Sequence, residues 1–494
     1  MGQLIDKTEF SAEEHEHFRR RLATNLLSLH RLLDRPGFGE GPRTLGAELE
    51  LYLVDEQGRP LPKNLEVLKR ASDKRLTSEL NRYNLEANLT PRLFDDSPFM
   101  ALEQEMHDVL AALNELLKDS GGHVLPIGIL PTLIREDFSR DMLTPEDRFI
   151  AMMHDIRKRR KESIAIDLQG EESVQFTTDL VTCEGANTSL QIHYRAEPSR
   201  FTDLFNAFQF TTPVMVGLSA NSPFFLGRSV WHETRIDLFR QAIDARDERR
   251  RELQMPERVY LGHGWVRHGP YELFAEKVSL FRTVLPVCDD EDTESVLESG
   301  GTPRLFELDM HAGTVWPWNR AVYDHSNQGH VRIELRSMPA GPTSSDMVAN
   351  AAFAIGLAEG LAGDMESLIP AIPFQIVTDN MERAARHGLD ASLLWPSDKR
   401  RELEERSLHE LATSLLPLAR LGLTSIDVSE AEIDRYLGII EHRLAKRQTG
   451  ASWQLAQFNS FAESMPHKQA LHEMLAGYRH HHDKGQAVAD WPLS

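Results

Sequence analysis

Apolar and polar residues alternate along four short segments of the chain, which is the pattern of a strand with one buried face. The four segments lie at residues 45–53, 85–90, 189–194 and 331–336. Successive side chains of a strand point to opposite faces, so alternate residues of each segment share a face. The pairs that share a polar face are Glu48 with Glu50, Gln191 with His193, and Glu334 with Arg336. Carboxylate, imidazole and guanidinium groups gathered in this way form a surface that suits cations and phosphate.

Segments with apolar residues three and four positions apart predict helices between these strands. Ser11 and Glu14 read as a capping box that opens a helix ending near Leu33. Other helices are predicted over residues 99–118, 145–163, 198–218, 232–253 and 344–363. Residues 255–330 read as irregular, and from about residue 375 helical patterns dominate without a clear strand signal.

The amphipathic character of the strands favours an antiparallel sheet. Strands of a parallel sheet are usually covered on both faces and read as continuous apolar runs. In the predicted sheet, one face packs on helices and the other forms a polar bowl. The predicted fold class is therefore α+β, with an antiparallel sheet forming a polar bowl backed by helices and with a helical C-terminal extension.

Composition narrows the function of this 494-residue chain further. A net charge of −21 argues against nucleic acid or an anionic membrane as the main partner. There is no apolar run of about 18 residues that could span a membrane, and the N-terminus lacks the layout of a secretion signal. The sequence has only two cysteines, which favours a reducing cytoplasmic location.

Acidic residues on the polar strand faces are candidate metal ligands. Glu48 and Glu50 stand two positions apart on one strand, roughly 6.5–7 Å. Their carboxylates could each hold one hard cation, as Mg²⁺ prefers oxygen ligands and substrate phosphates. Glu86 on the second strand is a third candidate and Glu79 a weaker one. His193 offers either an imidazole ligand or a hydrogen bond to phosphate. The alternative is a solvated strand face for Glu48 and Glu50, and a structural role for Glu86 and for His193.

Glu334 and Arg336 form a Glu-x-Arg pair on the fourth strand. The carboxylate can bind metal while the guanidinium group offers forked donors to phosphate oxygens. Arg332 points the same way. The alternative is a cross-strand salt bridge, which contributes little when exposed. The P-loop pattern G-x-x-x-x-G-K-[ST] and the zinc motif H-E-x-x-H are both missing from the sequence.

Together these segments resemble the glutamate–cysteine ligase family of plant and bacterial type, which includes bacterial carboxylate–amine ligases. Residues 45–51 resemble the opening Gly-x-Glu-x-Glu strand of the family, and residues 85–88 its second glutamate strand. Residues 188–193 are similar to a strand with Gln or His at alternate positions, and residues 332–336 to the Glu-x-Arg strand. Residues 220–223, Ala-Asn-Ser-Pro, with Arg235 downstream, complete a resemblance that runs from about residue 45 to 361.

The resemblance implies a glutamine synthetase-like fold and an ATP-dependent ligase. Such an enzyme activates a glutamate-type carboxylate as an acyl phosphate, which an amine then attacks. The implied cofactor is Mg²⁺, as two or three ions, with ATP as co-substrate. The implied metal ligands are Glu48, Glu50, Glu86, His193 and Glu334. The implied catalytic residues are Arg336 and Arg235, and the implied substrate or nucleotide contacts are Gln191, Asn221, Ser222 and Arg332.

Residues 1–374 are accordingly predicted to form the catalytic glutamine synthetase-like domain, and residues 375–494 an α-helical C-terminal extension. The expected partners are small molecules, namely an amino acid, an amine and ATP, and assembly into a homo-oligomer stays open. Two other functions also stay open at this point. One is a phosphagen-type kinase on the same kind of sheet, and the other is a non-catalytic scaffold that binds a nucleotide or an amino acid.

Overall fold

A computed structural model describes residues 5–95, 97–397 and 402–493. The strands are β1 Thr44–Asp55, β2 Leu76–Ser78, β3 Asn84–Leu93, β4 Gly122–Leu125, β5 Ile164–Gln169, β6 Ser173–Thr178, β7 Leu190–Arg195, β8 Phe224–Phe225, β9 Arg228–Ser229, β10 Val259–Tyr260, β11 Trp316–Pro317, β12 Asn319–Asp324, β13 His330–Leu335, β14 Ser392–Pro396 and β15 Leu403–Ser407. The helices are α1 Ala12–Leu33, α2 Asn64–Ala71, α3 Pro98–Leu117, α4 Asp147–Arg160, α5 Phe201–Ser219, α6 Arg235–Ala242, α7 Glu248–Glu252, α8 Pro270–Leu280, α9 Thr293–Glu298, α10 Phe306–Ala312, α11 Ser344–Ala362, α12 Met365–Leu368, α13 Phe374–His387, α14 Leu408–Ser425, α15 Glu430–Lys446, α16 Gly450–Ala462 and α17 His467–Asp483.

The main sheet runs in the order β12-β13-β7-β1-β3-β2, with β4 paired to the end of β1. Every neighbouring pair in this sheet is antiparallel. The long strand β1 lies at its centre and pairs with β7 on one side and β3 on the other. The predicted α+β fold with an antiparallel sheet is therefore confirmed.

Helices cover one face of the sheet, as the alternation predicts. Tyr194 of β7 illustrates the packing, because its ring meets Phe208 of α5 and its hydroxyl binds Glu359 of α11. The helices α5 and α11 are buried along almost their whole length. Their burial explains why their sequences are apolar nearly all round rather than striped. On β1 and β7, the side chains at the positions between the helix-facing ones point to the other face of the sheet, into the bowl.

Three parts of the chain differ from the predicted elements. Residues 255–330 are not irregular throughout, since they hold α8, α9, α10 and the edge strand β12. Residues 232–253 form two short helices in place of one, α6 and α7. The hairpin β14–β15 interrupts the helical C-terminal portion, and it is anchored by the buried Leu393 and by Trp395, whose ring packs on Phe210 of α5.

The C-terminal helices pack directly on the helical layer behind the sheet. α14 contacts α11 so closely that a side chain on Gly422 would overlap the carbonyl oxygen of Gly356. Arg443 of α15 is buried and pairs with Asp346 of α11 at 2.8 Å. A division between residues 374 and 375 stays a prediction. Among the described helices, none combines the length and apolar character that crossing a membrane requires.

Candidate active site

Strand register brings the predicted polar residues to one concave surface. Glu50 of β1 stands opposite Glu86 of β3, and Glu334 of β13 stands opposite His193 of β7. Side chains that face each other across antiparallel strands are about 4.5–5.5 Å apart at Cβ. Residues up to 286 positions apart in sequence, from Glu48 to Glu334, therefore line a single bowl. The predicted convergence of the four strand faces is what the structure shows.

Three carboxylates form an acidic cluster at one end of the bowl: Glu50, Glu79 and Glu86. One oxygen atom from each lies within 4.8 Å of the others. Glu50 is fixed by the backbone N–H of Ser189, at 2.6 Å, and by the side-chain amide of Gln191, at 2.8 Å. These hard oxygen donors fit Mg²⁺. Glu79, only a weaker candidate from the sequence, thus belongs with the two predicted glutamates.

The acidic cluster is electrostatically strained without a cation. Burial, together with the carboxylates of Glu86 and Glu50, raises the pKa of Glu79 well above its usual range. Burial and the neighbouring Glu48 raise the pKa of Glu86 to about 7. Burial and the charge of Glu50 raise the pKa of Glu184 to about 8. A bound divalent cation would relieve this repulsion, so the donor set and its charge state both suit a metal site.

The other end of the bowl is a basic end, formed by Arg320 and Arg336 around the buried Glu334. Arg320 Nε and Arg336 Nη1 lie 2.8 and 2.7 Å from the same Glu334 oxygen, Oε1. Arg336 also donates to the side-chain oxygen of Gln191. Burial acts to raise the pKa of Glu334, but the two guanidinium groups hold it well below its usual range. Glu334 therefore stays ionised, and two arginines share one carboxylate.

His193 lies between the two ends. Its Nε2 is 3.2 Å from Glu48 and 3.7 Å from Glu334. Burial opposes ionisation of Glu48, but the adjacent imidazole lowers the pKa of this carboxyl to about 2. Among the described residues, Nε2 of His193 and Oε2 of Glu334 are buried without a hydrogen-bond partner. These two atoms lie 3.7 Å apart, so a ligand bound at this part of the bowl could complete their bonding.

The hydrogen bonds of His193 bear on its predicted role as a metal ligand. Its Nδ1 accepts from Nε of Arg332 at 2.8 Å, and Arg332 also pairs with Asp324. A neutral imidazole that accepts at Nδ1 carries its hydrogen on Nε2. This arrangement favours the second role predicted for His193 from the sequence, a hydrogen bond to an oxygen. Metal ligation through Nε2 would require the hydrogen to move to Nδ1, and Arg332 would then have to release Nδ1.

Three other predicted site residues lie in the protein interior beside the bowl. Arg235 is 1% exposed, and its guanidinium group binds Glu233 and the backbone carbonyls of Arg336 and Ser337. Ser222 lies under it and accepts from the Arg235 backbone N–H. Asn221 is fully buried and hydrogen-bonded to the C-terminal helices. The structure therefore does not place Asn221, Ser222 or Arg235 on the bowl surface with the strand residues.

Two bowl residues escaped the sequence reasoning entirely. Arg320 lies on β12, in the stretch that reads as irregular, although its position opposite Glu334 follows once β12 and β13 are recognised as a hairpin. Asn327 and Gly329 in the connecting turn, both with positive φ, are the available signal for that hairpin. Glu184 lies in a short 3₁₀ segment, which leaves no periodic pattern to detect.

Comparison with solved structures defines the class of fold. Glutamate–cysteine ligase of Francisella tularensis, solved in complex with AMP, superposes with a TM-score of 0.52 at 12% identity, covering 92% of this chain and 91% of the other. A bifunctional glutathione synthetase of Pasteurella multocida gives a TM-score of 0.46 at 11% identity, over 96% of this chain and 54% of its own. The first likeness establishes a ligase fold of the glutamate–cysteine ligase type.

The sequence then gives the family. Residues 44–428 match the family model described as glutamate-cysteine ligase family 2 (GCS2), and the chain belongs to this family. A Rubrobacter xylanophilus protein, provisionally named glutamate–cysteine ligase 2-3, is 26% identical over 421 residues, covering 84% of this chain and 92% of that protein. The resemblance seen in the strand motifs is thereby confirmed, and it places the chain among enzymes that form C–N bonds.

Proposed function

We propose that this protein is an ATP- and Mg²⁺-dependent ligase that joins a glutamate-type carboxylate to an amine. The observation that carries the proposal is the polarity of the bowl. Its acidic cluster, Glu50, Glu79 and Glu86, can collect divalent cations, and its basic end, Arg320 and Arg336, can bind phosphate. A site that holds Mg²⁺ and a nucleotide triphosphate together needs acidic ligands for the metal next to basic groups for the phosphates.

The acidic cluster, with Glu48 and Glu334, would hold the metal ions. Their oxygens are the hard donors that Mg²⁺ prefers. Glu334 is kept ionised, so its carboxylate can serve as a ligand without first losing a proton. When bound, Mg²⁺ neutralises phosphate charge and orients the reacting groups. His193, held by Arg332, donates its Nε2 hydrogen to a phosphate or carboxylate oxygen in this proposal.

The proposed reaction has two steps. A substrate carboxylate oxygen first attacks the terminal phosphorus of ATP, and ADP leaves, which gives an acyl phosphate. The amine then attacks the acyl carbon, the C–O bond to phosphate breaks, and the amine loses a proton as the amide forms. Arg336 faces the charge that builds on the transferred phosphoryl group, and its tethers to Glu334 and Gln191 fix the guanidinium plane before substrate arrives. Arg235 acts beneath it by holding the backbone of residues 336 and 337.

An ADP-release screen tests the function directly. The purified full-length chain is incubated with Mg-ATP and glutamate, and amines and amino acids are added one at a time. The proposal expects ADP release that depends on one class of amine, with one amide and one phosphate formed per ADP. A stable phosphorylated product would identify a kinase instead, and nucleotide binding without turnover would identify a scaffold.

A further inference from the structure

Lys277 of α8 is a buried lysine whose terminal amine lacks a hydrogen-bond partner among the described residues. The residue is 2% exposed, and among the described residues its Nζ finds no hydrogen-bond acceptor. Its Nζ lies 5.6 Å from the centre of the Phe274 ring. Its backbone carbonyl accepts from Nε2 of His311, which fixes the helix but not the amine. An unpaired buried amine costs the fold free energy unless a ligand supplies the missing acceptors.

Lys277 lies near the basic end of the bowl. α8 packs on α1, α10 and β12, and β12 is the strand that carries Arg320. The charged groups that act on Lys277 are Arg320, Glu334, Glu276 and Arg336. Burial, assisted by the charge of Arg320, lowers the pKa of Lys277 to about 7.

The charge balance there favours an anionic ligand. Glu334 already pairs with both Arg320 and Arg336. No carboxylate of the described residues lies within ion-pair distance of Lys277 Nζ. Three basic side chains, Arg320, Arg336 and Lys277, thus stand against two carboxylates, Glu334 and Glu276, in a protein whose net charge is −21. A bound oxyanion would supply both the missing hydrogen-bond acceptors and the missing negative charge.

We propose that Lys277 binds the phosphoryl group that passes through the site. The inference rests on the proposed function, because it assumes that a nucleotide brings this group to the basic end. The group arrives as the terminal phosphate of the nucleotide and departs as inorganic phosphate, and its oxygens accept from a lysine at either stage. Lys277 comes from the irregular-looking region 255–330 and reaches a bowl that is otherwise built on strands.

Nucleotide binding by the full-length chain tests the role of Lys277 apart from turnover. Calorimetry compares wild type with Lys277→Met for a non-hydrolysable Mg-ATP analogue, Mg-ADP, inorganic phosphate and adenosine. A charge-assisted hydrogen bond lost on substitution predicts affinity about 10- to 100-fold weaker for the triphosphate analogue, with adenosine unaffected. Lys118→Met, at an exposed surface lysine, is the matched control and should bind like wild type.

Stability measurements separate this role from a purely structural one. Without ligand, Lys277→Met should melt at or above the temperature of wild type, because it removes a buried unpaired amine. Lys277→Gln is the second variant and should also bind the triphosphate analogue more weakly than wild type. Unchanged affinity of a folded variant for the analogue overturns the inference, as does a rise confined to the KM of the amino acid. Wild type that binds the analogue but forms no amide overturns the proposed reaction and leaves the Lys277 comparison valid.

Discussion

Arg336 is the residue on which the proposed chemistry depends most. One nitrogen of its guanidinium group, Nη1, donates to both Glu334 and Gln191, and the group faces the bowl. We expect Arg336→Ala to lower kcat about 10²–10³-fold, the usual effect of removing one preorganised donor to transition-state charge. Arg320 still pairs with Glu334 in this variant, so the fold should persist.

The matched control for this substitution is Arg447→Ala, at a surface arginine that pairs with Asp390 and is half exposed. Its kcat should equal that of wild type. Rates from amine-dependent ADP release, with circular dichroism spectra of both variants, decide the outcome. Near-normal turnover of a folded Arg336→Ala protein would remove Arg336 from the mechanism.

The acidic cluster makes stability depend on pH and on metal. Glu86 has a pKa of about 7 in the fold and an ordinary value of 4.5. Between these values the unfolded chain loses its proton while the folded protein keeps it, so folding becomes less favourable as pH rises from about 4.5 to 7. The full penalty for this group is about 3 kcal/mol and applies above pH 7.

Mg²⁺ should therefore raise the melting temperature more at pH 8 than at pH 5.5, since it compensates carboxylates that are ionised only at the higher pH. Glu86→Gln should melt higher than wild type at pH 8 without metal and should lose most of the Mg²⁺ increment. Glu66→Gln, on the exposed face of α2, is the control and should match wild type. Equal Mg²⁺ increments at the two pH values would contradict a metal site at the acidic cluster.

At the scale of elements, the sequence predicted those strands whose two faces differ in polarity. β1, β7 and β13 each carry an apolar face against helices and charged groups in the bowl, so alternation located them. β12 is an edge strand whose buried face carries the polar Asn319 beside Ala321, while the apolar Val322 lies on the other face, so its period-2 signal is weak. Glu79 lies after β2, outside the strands, so only tertiary structure brings it to the bowl. Lys277, the proposed phosphate contact, lies on α8 and leaves no strand pattern either.

The contact between α11 and α14 gives a prediction at the same scale. A Cβ on Gly422 would overlap the carbonyl oxygen of Gly356 in the facing helix, so Gly422→Ala should force the helices apart. We expect destabilisation of about 1–3 kcal/mol, measured by urea unfolding. Gly438→Ala, in α15 with open space around it, is the control and should be neutral or up to about 1 kcal/mol more stable. Equal effects of the two substitutions would contradict the close packing.

At the scale of the whole molecule, the C-terminal helices are joined to the bowl through the interior. The family match ends at residue 428. Asn221 lies within the matched part and forms a junction with helices that follow residue 428. Its side-chain amide donates to Ala340 O and to the Tyr478 hydroxyl, both at 2.8 Å, and its oxygen accepts from Gln454 at 2.9 Å. Its backbone N–H binds Glu233, the partner of Arg235. No periodic pattern in the sequence could reveal contacts that span 233 and 257 residues.

This junction separates two roles for the Ala-Asn-Ser-Pro segment. If Asn221 holds the molecule together, Asn221→Ala should lower stability by about 2–3 kcal/mol, the loss of buried hydrogen bonds, with KM values within about two-fold of wild type. Tyr478→Phe removes the bond from Asn221 together with the bond that its hydroxyl donates to Pro126 O, and should cost about 1–3 kcal/mol with unchanged KM. If Asn221 instead contacts substrate, as the family motif implies, Asn221→Ala alone should raise a KM by ten-fold or more. Thermal unfolding and steady-state kinetics on the two variants distinguish these outcomes. Both roles depend on the side-chain amide of Asn221, but only a contact with substrate changes KM.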